Sequence, residues 1–174
     1  MLLYSFIRNL KMKPEKAHYV VATAIIVKDG RYLLLKRASH ETVYPNTWTV
    51  PGGKLERKDY EGKPKDSEDA WYGIGERLVE REVMEEAGIS IKNIQYATSL
   101  TFIRPDNIPV VVLSYFAFHD KGEVALNDGS HTEHAWVTLD EAKGYDLIPG
   151  IYEEIGMVDH HLKGNPMGTW KKSK

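Results

Sequence analysis

The feature that most constrains the fold is an acidic segment with the sequence REVMEEAG, from Arg81 to Gly88. At roughly 100° of turn per residue, Glu82, Glu85 and Glu86 fall within an arc of about 100° on one side of a helix. Apolar residues share or border the same arc. We therefore expect a helix that holds its three carboxylates beside apolar surface.

This acidic face has few cations to balance it. Neighbouring side chains on a helix are three or four residues apart, so Arg81 can reach Glu85, whereas Glu82 and Glu86 have no Lys or Arg at such positions. Like charges at this spacing destabilise a helix by roughly 0.2–0.5 kcal/mol, and by more in a low dielectric. Because carboxylate oxygens suit Mg²⁺ or Mn²⁺, the segment predicts a metal site. The alternative is an acidic helix face that water solvates.

Composition narrows the class of protein. The chain has 174 residues, 42% of them hydrophobic, which is enough for one well-buried domain. Its net charge of -2 and the lack of a long basic run argue against binding to a nucleic-acid polymer. It has no cysteine, which excludes disulfides and thiol nucleophiles. No apolar run approaches the roughly 20 residues that cross a bilayer, so we expect a soluble, cytoplasmic protein without membrane contacts.

The order of predicted elements indicates an α/β (α+β) fold. Two hairpins and two substantial helices predict a mixed sheet with helices on both faces, an α/β/α sandwich. The charged stretch 56–69 is expected to be an exposed loop. Residues 1–16 are predicted to be a tail or short helix, 17–160 the domain and 161–174 a second tail. The predicted strands are 18–27, 31–35, 48–50, 94–103, 109–118 and 134–137, and the predicted helices are 76–87, 139–143 and 151–161.

Two segments together resemble the Nudix box: WTVPGGKLE at 48–56 and REVMEEAGI at 81–89. The family pattern is Gly, five residues, Glu, seven residues, then R-E-U-x-E-E-x-G-U with U aliphatic, and the second segment matches every fixed position. The runs LLKR at 34–37 and WVTLDEA at 136–142 are also typical of the family. The resemblance implies a Nudix hydrolase that uses Mg²⁺ or Mn²⁺. Such enzymes cleave the diphosphate of a nucleoside diphosphate derivative by attack of water on phosphorus.

The spacing inside the box departs from this pattern. The pattern separates its first Gly from its Arg by fourteen positions, whereas Gly53 and Arg81 are 28 positions apart (81 minus 53), so about fourteen residues are inserted. Counted back from Arg81, the first-half glutamate falls on Gly73, which has no carboxylate. The insertion, placed at 57–66, is expected to form either a flap beside the site or a surface loop. The acids considered as substitutes are Glu68, Asp69 and Glu76.

The resemblance assigns roles within the box. Glu82 and Glu86 are the main metal ligands, and the carbonyl of Gly52 completes the set. Glu85 is a third ligand or orients the water. Arg81 fixes the side chain of Glu85.

Outside the box, the resemblance implies a general base that is either a box glutamate or an acid from the loop 128–134. Glu133 is the candidate there, ahead of His131; the alternative is an exposed acid without a role. Arg37 matches a position that contacts substrate phosphate, although a salt bridge at the sheet edge explains it as well. The remaining substrate-binding candidates are Gly53, Arg104 and Tyr44.

The sequence leaves the substrate open among free nucleotides, such as an oxidised deoxynucleoside triphosphate or ADP-ribose. A nucleotide-binding module that has lost turnover through its altered box is the main alternative. The isoprenoid isomerase branch of the same fold uses a cysteine, which this chain lacks. A homodimer is suggested only by analogy.

Overall fold

A computed structural model describes residues 16–172. Seven strands form one sheet, and helices lie on both of its faces. A short 3₁₀ turn, Arg57–Asp59, follows β4. The helices are α1 (Ile74–Ala87), α2 (Leu139–Ala142) and α3 (Ile151–Leu162). The strands are β1 (Tyr19–Lys28), β2 (Arg31–Arg37), β3 (Trp48–Thr49), β4 (Gly52–Lys54), β5 (Ser90–Ile103), β6 (Pro109–Lys121) and β7 (His131–Val137).

Strand β1 lies at the centre of the sheet. The strand order is β3-β2-β1-β6-β5, with β4 paired to β1 and β7 paired to β2. β1 runs parallel to β6 and antiparallel to β2 and β4. This combination confirms the predicted mixed sheet.

Alternate residues of β1 fill two separate cores, because successive side chains of a strand point to opposite faces. Ala24 and Ile26 pack beneath α1, in a core that includes Val83. Ile25 packs beneath α3, in a core that includes Ile155. The predicted arrangement of helices on both faces of the sheet is therefore confirmed.

Helix α1 begins at Ile74, two residues before the predicted start. It ends at Gly88, whose φ of 68° lies in the left-handed region, as the sequence predicts. Gly75 lies inside the helix and permits a close approach, because a Cβ atom there would overlap the phenol ring of Tyr115. A glycine that weakens the isolated helix is thus required by the packing between α1 and β6.

The stretch after β4 is only partly the exposed loop that was predicted. Most of its side chains are exposed, but Asp59 is 6% exposed, and its carboxylate accepts a hydrogen bond of 2.7 Å from the backbone N–H of Glu56. Further along, the carboxylate of Asp66 accepts hydrogen bonds from Arg77 of α1. The inserted segment is therefore attached to α1 by side-chain contacts.

At the amino-terminal end, the tail or short helix predicted for residues 1–16 lies, except for its last residue, outside the described part of the chain. At the other end, α3 continues to Leu162, across the predicted domain boundary at 160. No helix within residues 16–172 is both long enough and apolar enough to span a bilayer.

Replacing Gly75 with Ala tests the contact between α1 and β6. In an exposed helix interior this change stabilises by about 1 kcal/mol. Here the new methyl group meets the Tyr115 ring, so we expect the free energy of unfolding to fall by about 1–3 kcal/mol. Urea unfolding followed by circular dichroism measures the change.

Two further variants make that test specific. Glu80 lies at an exposed position of α1, so Glu80→Ala should leave the unfolding midpoint almost unchanged. The double variant Gly75→Ala with Tyr115→Phe should recover part of the loss, because it removes the hydroxyl that the methyl group meets first. An increase in stability for Gly75→Ala alone would contradict the proposed contact.

Candidate active site

A cavity of about 490 Å³ lies between α1, α3 and the strands β1, β5 and β6. Most of the residues that the sequence selects meet there, whereas Arg81, Glu85 and Glu133 are absent from its lining. The selected residues that line the cavity are Arg37, Tyr44, Gly52, Gly53, Glu82, Glu86 and Arg104.

Arg81 makes ion pairs with three carboxylates at once. Its Nη1 atom lies 2.6 Å from Glu85 Oε2, and its Nη2 atom lies 2.7 Å from Glu82 Oε1. Its Nε atom lies 2.8 Å from Asp59 Oδ1. The expected pair with Glu85 is therefore present, but the expectation that Glu82 lacks a cation is wrong. The spacing rule for neighbours on one helix face overlooked the long arginine side chain, which folds back along the helix to the adjacent residue.

Glu82 and Glu85 have different surroundings. Glu82 is 9% exposed, and burial raises the pKa of its carboxyl group, while the nearby Arg81 opposes that rise. The side chain of Glu85 is 51% exposed and lies outside the cavity. Of the two, only Glu82 faces the space where a ligand could lie.

Glu86 is the most deeply buried glutamate of the box. It is 7% exposed, and the backbone N–H of Gly52 donates a 2.9 Å hydrogen bond to its Oε2 atom. Burial raises the pKa of Glu86 well above its usual value, and the neighbouring carboxylate of Glu82 raises it further. Among residues 16–172, no Lys or Arg forms an ion pair with Glu86, as the sequence predicts; Arg37 acts on it only at longer range.

The two glycines after Pro51 are needed because other atoms approach them closely. A Cβ atom on Gly53 would overlap the carboxylate of Glu82, and one on Gly52 would overlap the backbone of β1 at Ala22 and Thr23. The family resemblance assigned the Gly52 carbonyl to the metal and Gly53 to the substrate. The structure shows close approach of the Glu82 carboxylate and of a neighbouring strand, so the glycine loop allows α1 to sit directly against β4.

A second group of possible ligands lies next to Glu86. Its carboxylate, the carboxylate of Asp128 and a ring nitrogen of His131 all lie within 4.8 Å of one another. His131 is buried, its Nδ1 atom lies 2.8 Å from the hydroxyl oxygen of Ser130, and its Nε2 atom has no partner within the described residues. The sequence ranked His131 second in this loop and did not select Asp128.

Glu133 lies away from the cavity. Its Oε1 atom accepts a hydrogen bond of 2.7 Å from Lys36 on the neighbouring strand, and its side chain is largely exposed. Strand geometry explains this placement, because the pairing of β2 with β7 shifts register next to the contact between Lys36 and Glu133. Beyond that shift, Arg37 pairs with His131, and both of these residues line the cavity.

Both candidate arginines line the cavity, and each is already paired with an acid. Arg37 donates a 2.5 Å hydrogen bond to Glu41 and a 2.9 Å hydrogen bond to the carbonyl oxygen of Val43. Arg104 makes two hydrogen bonds to the carboxylate of Asp106. The salt-bridge alternative considered for Arg37 is thus present, although its partner is Glu41 of the adjoining loop and its guanidinium still faces the cavity.

The sequence-based count missed Asp59. Counted forward from Gly53, five residues precede position 59, where the family pattern has its first-half glutamate. Counting back from Arg81 carried the insertion along and gave Gly73 instead. Because Asp59 pairs with Arg81, the inserted residues lie between these two positions. The three proposed substitutes do not line the cavity; they are Glu68, Asp69 and Glu76.

A further buried carboxylate, which the sequence analysis did not select, lies on α3. Glu154, in the first turn of α3, is 3% exposed and lines the cavity. It lies beside Ser114 of β6, whose hydroxyl group forms a hydrogen bond with it. Helical spacing on α3 marks Glu154 as a neighbour of Ile151 and Val158, which is the one sequence signal that it faces inward.

Two relatives in sequence are named NAD-capped RNA hydrolase NudC. The chain is 28% identical over 141 residues to the protein of Chromobacterium violaceum, covering 81% of this chain and 43% of that protein. It is 36% identical over 66 residues to the protein of Salmonella paratyphi C, covering 38% of this chain and 24% of that protein. The chain thus spans less than half the length of these relatives.

Solved structures share the fold. A MutT NUDIX hydrolase from Burkholderia pseudomallei superposes with a TM-score of 0.62 at 26% identity, covering 81% of this chain and 98% of that chain. The NUDIX domain of Shewanella oneidensis NrtR, in a cocrystal structure with ADP ribose, gives a TM-score of 0.67 at 18% identity, covering 93% and 99%. The family model described as NUDIX domain matches residues 17–155. The resemblance seen in the box is confirmed, and the chain belongs to the Nudix hydrolase family.

Proposed function

We propose that this chain is a Mg²⁺- or Mn²⁺-dependent hydrolase that cleaves the diphosphate of a small nucleoside diphosphate derivative by attack of water on phosphorus. The observation that carries the proposal is Glu86, a buried carboxylate on the cavity wall that has no Lys or Arg as an ion-pair partner among residues 16–172. A buried anion of this kind is costly unless a cation accompanies it.

The residues around Glu86 fit a divalent cation. Glu82 and Glu86 offer carboxylate oxygens from adjacent turns of α1, and Asp128 lies close to Glu86. Burial lowers the pKa of His131, which favours the neutral imidazole that binds metals. Glu85 points away from the cavity, so we assign the ligands to Glu82 and Glu86, with Asp128 and His131 beside them.

A cation bound there supplies charge neutralisation on the diphosphate oxygens and lowers the pKa of a bound water. The protein's own groups hold the ligands in place. Arg81 fixes Glu82, and the N–H of Gly52 fixes one oxygen of Glu86. On this proposal, the carbonyl of Gly52 is a less direct contributor than its amide, which makes the contact seen here.

Substrate phosphate would lie between the box and two arginine side chains. Arg37 and Arg104 both line the cavity, and guanidinium groups suit phosphate oxygens. Each arginine would share its charge between phosphate and its present acid, Glu41 or Asp106. Tyr44 is 42% exposed at the same cavity and offers an aromatic ring for stacking on a nucleoside.

For the general base we propose Asp128 in preference to Glu133. Asp128 belongs to the loop that the family resemblance selects, and its carboxylate lies beside Glu86. Ser130 donates hydrogen bonds to both of its oxygens, which orients the carboxylate. Neither Asp128 nor Glu133 is among the lining residues of the cavity, but Asp128 lies within 4.8 Å of Glu86, whereas Glu133 is paired with Lys36.

The class of substrate is supported by size and by the relatives. A volume of about 490 Å³ lies within the range typical of small-molecule sites. NAD, which the name of the NudC relatives mentions, contains two nucleosides joined by a diphosphate. A free nucleotide rather than a polymer, a cytoplasmic location and a homodimer all remain parts of the proposal that rest on composition and analogy.

The alternative is a module that binds nucleotides without turnover. Its argument from the sequence was the missing first-half carboxylate of the box. Asp59 occupies that position by forward count and makes an ion pair with Arg81. This contact removes the main reason to expect an impaired box.

Loss of the Glu86 carboxylate should abolish hydrolysis. We expect Glu86→Gln to reduce kcat/KM by at least about 100-fold on any nucleotide that the wild type hydrolyses, because charge stabilisation by the cation is lost. Release of phosphate or pyrophosphate from a nucleotide panel with Mg²⁺ or Mn²⁺ measures this effect, and excess EDTA should abolish it in the wild type.

Glu80→Gln is the matched control, since it removes the same charge from an exposed position of α1. It should retain wild-type activity. The proposal fails if the wild type hydrolyses no nucleotide in the panel, or if Glu86→Gln performs as well as the wild type.

Metal-free stability should depend on pH through Glu86. A folded-state pKa above the unfolded value means that the native protein binds the extra proton, so stability is lost as pH rises through the folded pKa. Glu86→Gln removes this loss. In EDTA we expect the variant to unfold at higher urea concentration than the wild type at pH 8, with the difference shrinking as pH falls toward 5.

The difference should grow with pH, because burial disfavours the charged carboxylate of Glu86 and the amide of the variant carries no charge. Saturating Mn²⁺ should reverse the order at pH 8, because only the wild type retains the full ligand set. A pH-independent difference between the two proteins in EDTA would contradict the assignment.

The choice of base can be tested with two amide variants. We expect Asp128→Asn to lower kcat by about 100-fold or more at saturating metal and nucleotide, because general-base catalysis contributes at least that factor. Glu133→Gln should have nearly wild-type kcat, since its side chain contacts Lys36 and not the cavity. The reverse result would restore Glu133 as the base.

A further inference from the structure

Glu154 is a buried carboxylate at the cavity for which the proposed hydrolysis has no use. It projects from the first turn of α3, on the opposite side of the cavity from the acids of α1, and is 3% exposed. Carboxylates are rarely buried this deeply unless they are paired. The surroundings of Glu154 therefore indicate which kind of ligand it can bind.

The floor of the cavity follows the strands and ends at Glu154. Apolar side chains of β1, β5 and β6 form the floor, among them Val21, Leu100 and Val112. The floor reaches Thr23 and Ser114, which pair across the parallel strands. The next inward-facing pair, Ile25 and Phe116, is covered by α3 in the core. These floor residues form an apolar slot, and Glu154 lies at its closed end.

Hydrogen bonds orient Glu154 as an acceptor. The hydroxyl group of Thr23 donates a 3.2 Å hydrogen bond to the hydroxyl oxygen of Ser114. Ser114 thereby keeps its own hydrogen for the carboxylate of Glu154, and that bond lowers the pKa of Glu154 against the stronger rise caused by burial. Because Glu154 also lines the cavity, its remaining acceptor positions are available to a ligand bound there.

The charge of Glu154 is not balanced within the described structure. No Lys, Arg or His of residues 16–172 forms an ion pair with Glu154, and its neighbours include the Ser114 hydroxyl group and the acid Glu153. Leaving a buried carboxylate with unused acceptor positions costs free energy. A ligand that brings N–H donors into the slot would offset this cost.

We propose that Glu154 contacts the base of the nucleotide and makes the cavity selective for guanine. Its carboxylate accepts hydrogen bonds from the ring N1–H and the 2-amino group of guanine. This inference rests on the proposed function, since it names the substrate class of the same cavity. A guanine fits an apolar slot by its ring faces and places two adjacent donors at its edge, which matches the two oxygens of a carboxylate.

Other bases match less well. Uracil and thymine flank their single ring N–H with carbonyl oxygens, which would face the carboxylate. Adenine and cytosine place an acceptor nitrogen beside their amino group. Hypoxanthine keeps the N1–H of guanine and lacks only the 2-amino group, so it isolates one of the two proposed hydrogen bonds.

The experiment compares GTP with ITP, and then with ATP, CTP and UTP, using wild-type protein with Mn²⁺. We expect kcat/KM for GTP to exceed that for ITP by roughly tenfold, which is the usual effect of one hydrogen bond to a charged group, and to exceed the others by more. In Glu154→Gln the ratio of GTP to ITP should fall toward one, because the amide offers a single acceptor oxygen, and GTP hydrolysis should fall by more than ITP hydrolysis.

Glu153→Gln is the matched control, because it removes a neighbouring carboxylate of α3 that does not line the cavity. It should keep the wild-type ratio. Thermal unfolding of each variant, compared with the wild type, separates a change in selectivity from a loss of folded protein. Ser114→Ala, which removes the donor that orients Glu154, should lower the same ratio if Glu154→Gln folds poorly.

Calorimetry with GDP, IDP and UDP keeps the inference testable even if no nucleotide is hydrolysed, which is the result that would overturn the proposed function. Tighter binding of GDP than IDP, lost in Glu154→Gln, supports the inference independently of turnover. Equal affinities or rates for guanine and hypoxanthine nucleotides would overturn it. Preference for adenine, or a Glu154→Gln effect of equal size on all bases, would overturn it as well.

Discussion

The ion pairs of Arg81 are the interaction on which the geometry of the box depends. One guanidinium holds Asp59 from the segment after β4, together with Glu82 and Glu85 of its own helix. It therefore joins the two halves of the box across the inserted residues. The Arg81 side chain is only 22% exposed, so each of these contacts fixes position as well as charge.

The same contacts give the acids of α1 different electrostatic surroundings. Glu82 is buried, and burial raises the pKa of its carboxyl group, but the Arg81 cation beside it favours the ionised form that binds metal. Glu86 accepts a hydrogen bond from a backbone N–H and lies near the His131 ring and the Asp128 carboxylate. Burial raises its pKa well above the usual value, and the neighbouring acids raise it further. One acid is thus neutralised within the protein and the other is left for a bound cation. An acidic triplet that looks uniform in sequence becomes three different environments.

The sequence predicts the features of the site that depend on neighbouring residues better than those that depend on residues far apart in the chain. Helix α1 and the glycine loop follow from local patterns. In the structure Glu82 and Glu86 line the cavity, and their role as metal ligands stays a prediction. The contact of Arg81 with Glu82 was missed because spacing rules treat side chains as short. Asp59 was missed because the insertion was counted from the wrong end.

The remaining differences arise from strand register, which a single sequence does not state. A shift in the pairing of β2 with β7 turns His131 into the cavity and leaves Glu133 outside it. Because side chains alternate across a strand, a displacement of one residue exchanges the two faces. Glu154 required even longer-range information, since its partner Ser114 is forty positions away and meets it only when α3 packs on the sheet.

Strand register also links the proposed metal site at Glu86 to the proposed guanine site at Glu154. On β1, Thr23 pairs with Gly52 on one side and with Ser114 on the other. Gly52 holds Glu86, and Ser114 holds Glu154, so a single position of the central strand sets the separation of the two acids. In the proposed complex, a cation neutralises Glu86, and guanine donates hydrogen bonds to Glu154. The free protein then carries two poorly compensated carboxylates at opposite sides of one cavity, and the full complex relieves both. Metal and guanine nucleotide should therefore each strengthen the binding of the other, because the diphosphate bridges the cation while the base reaches Glu154.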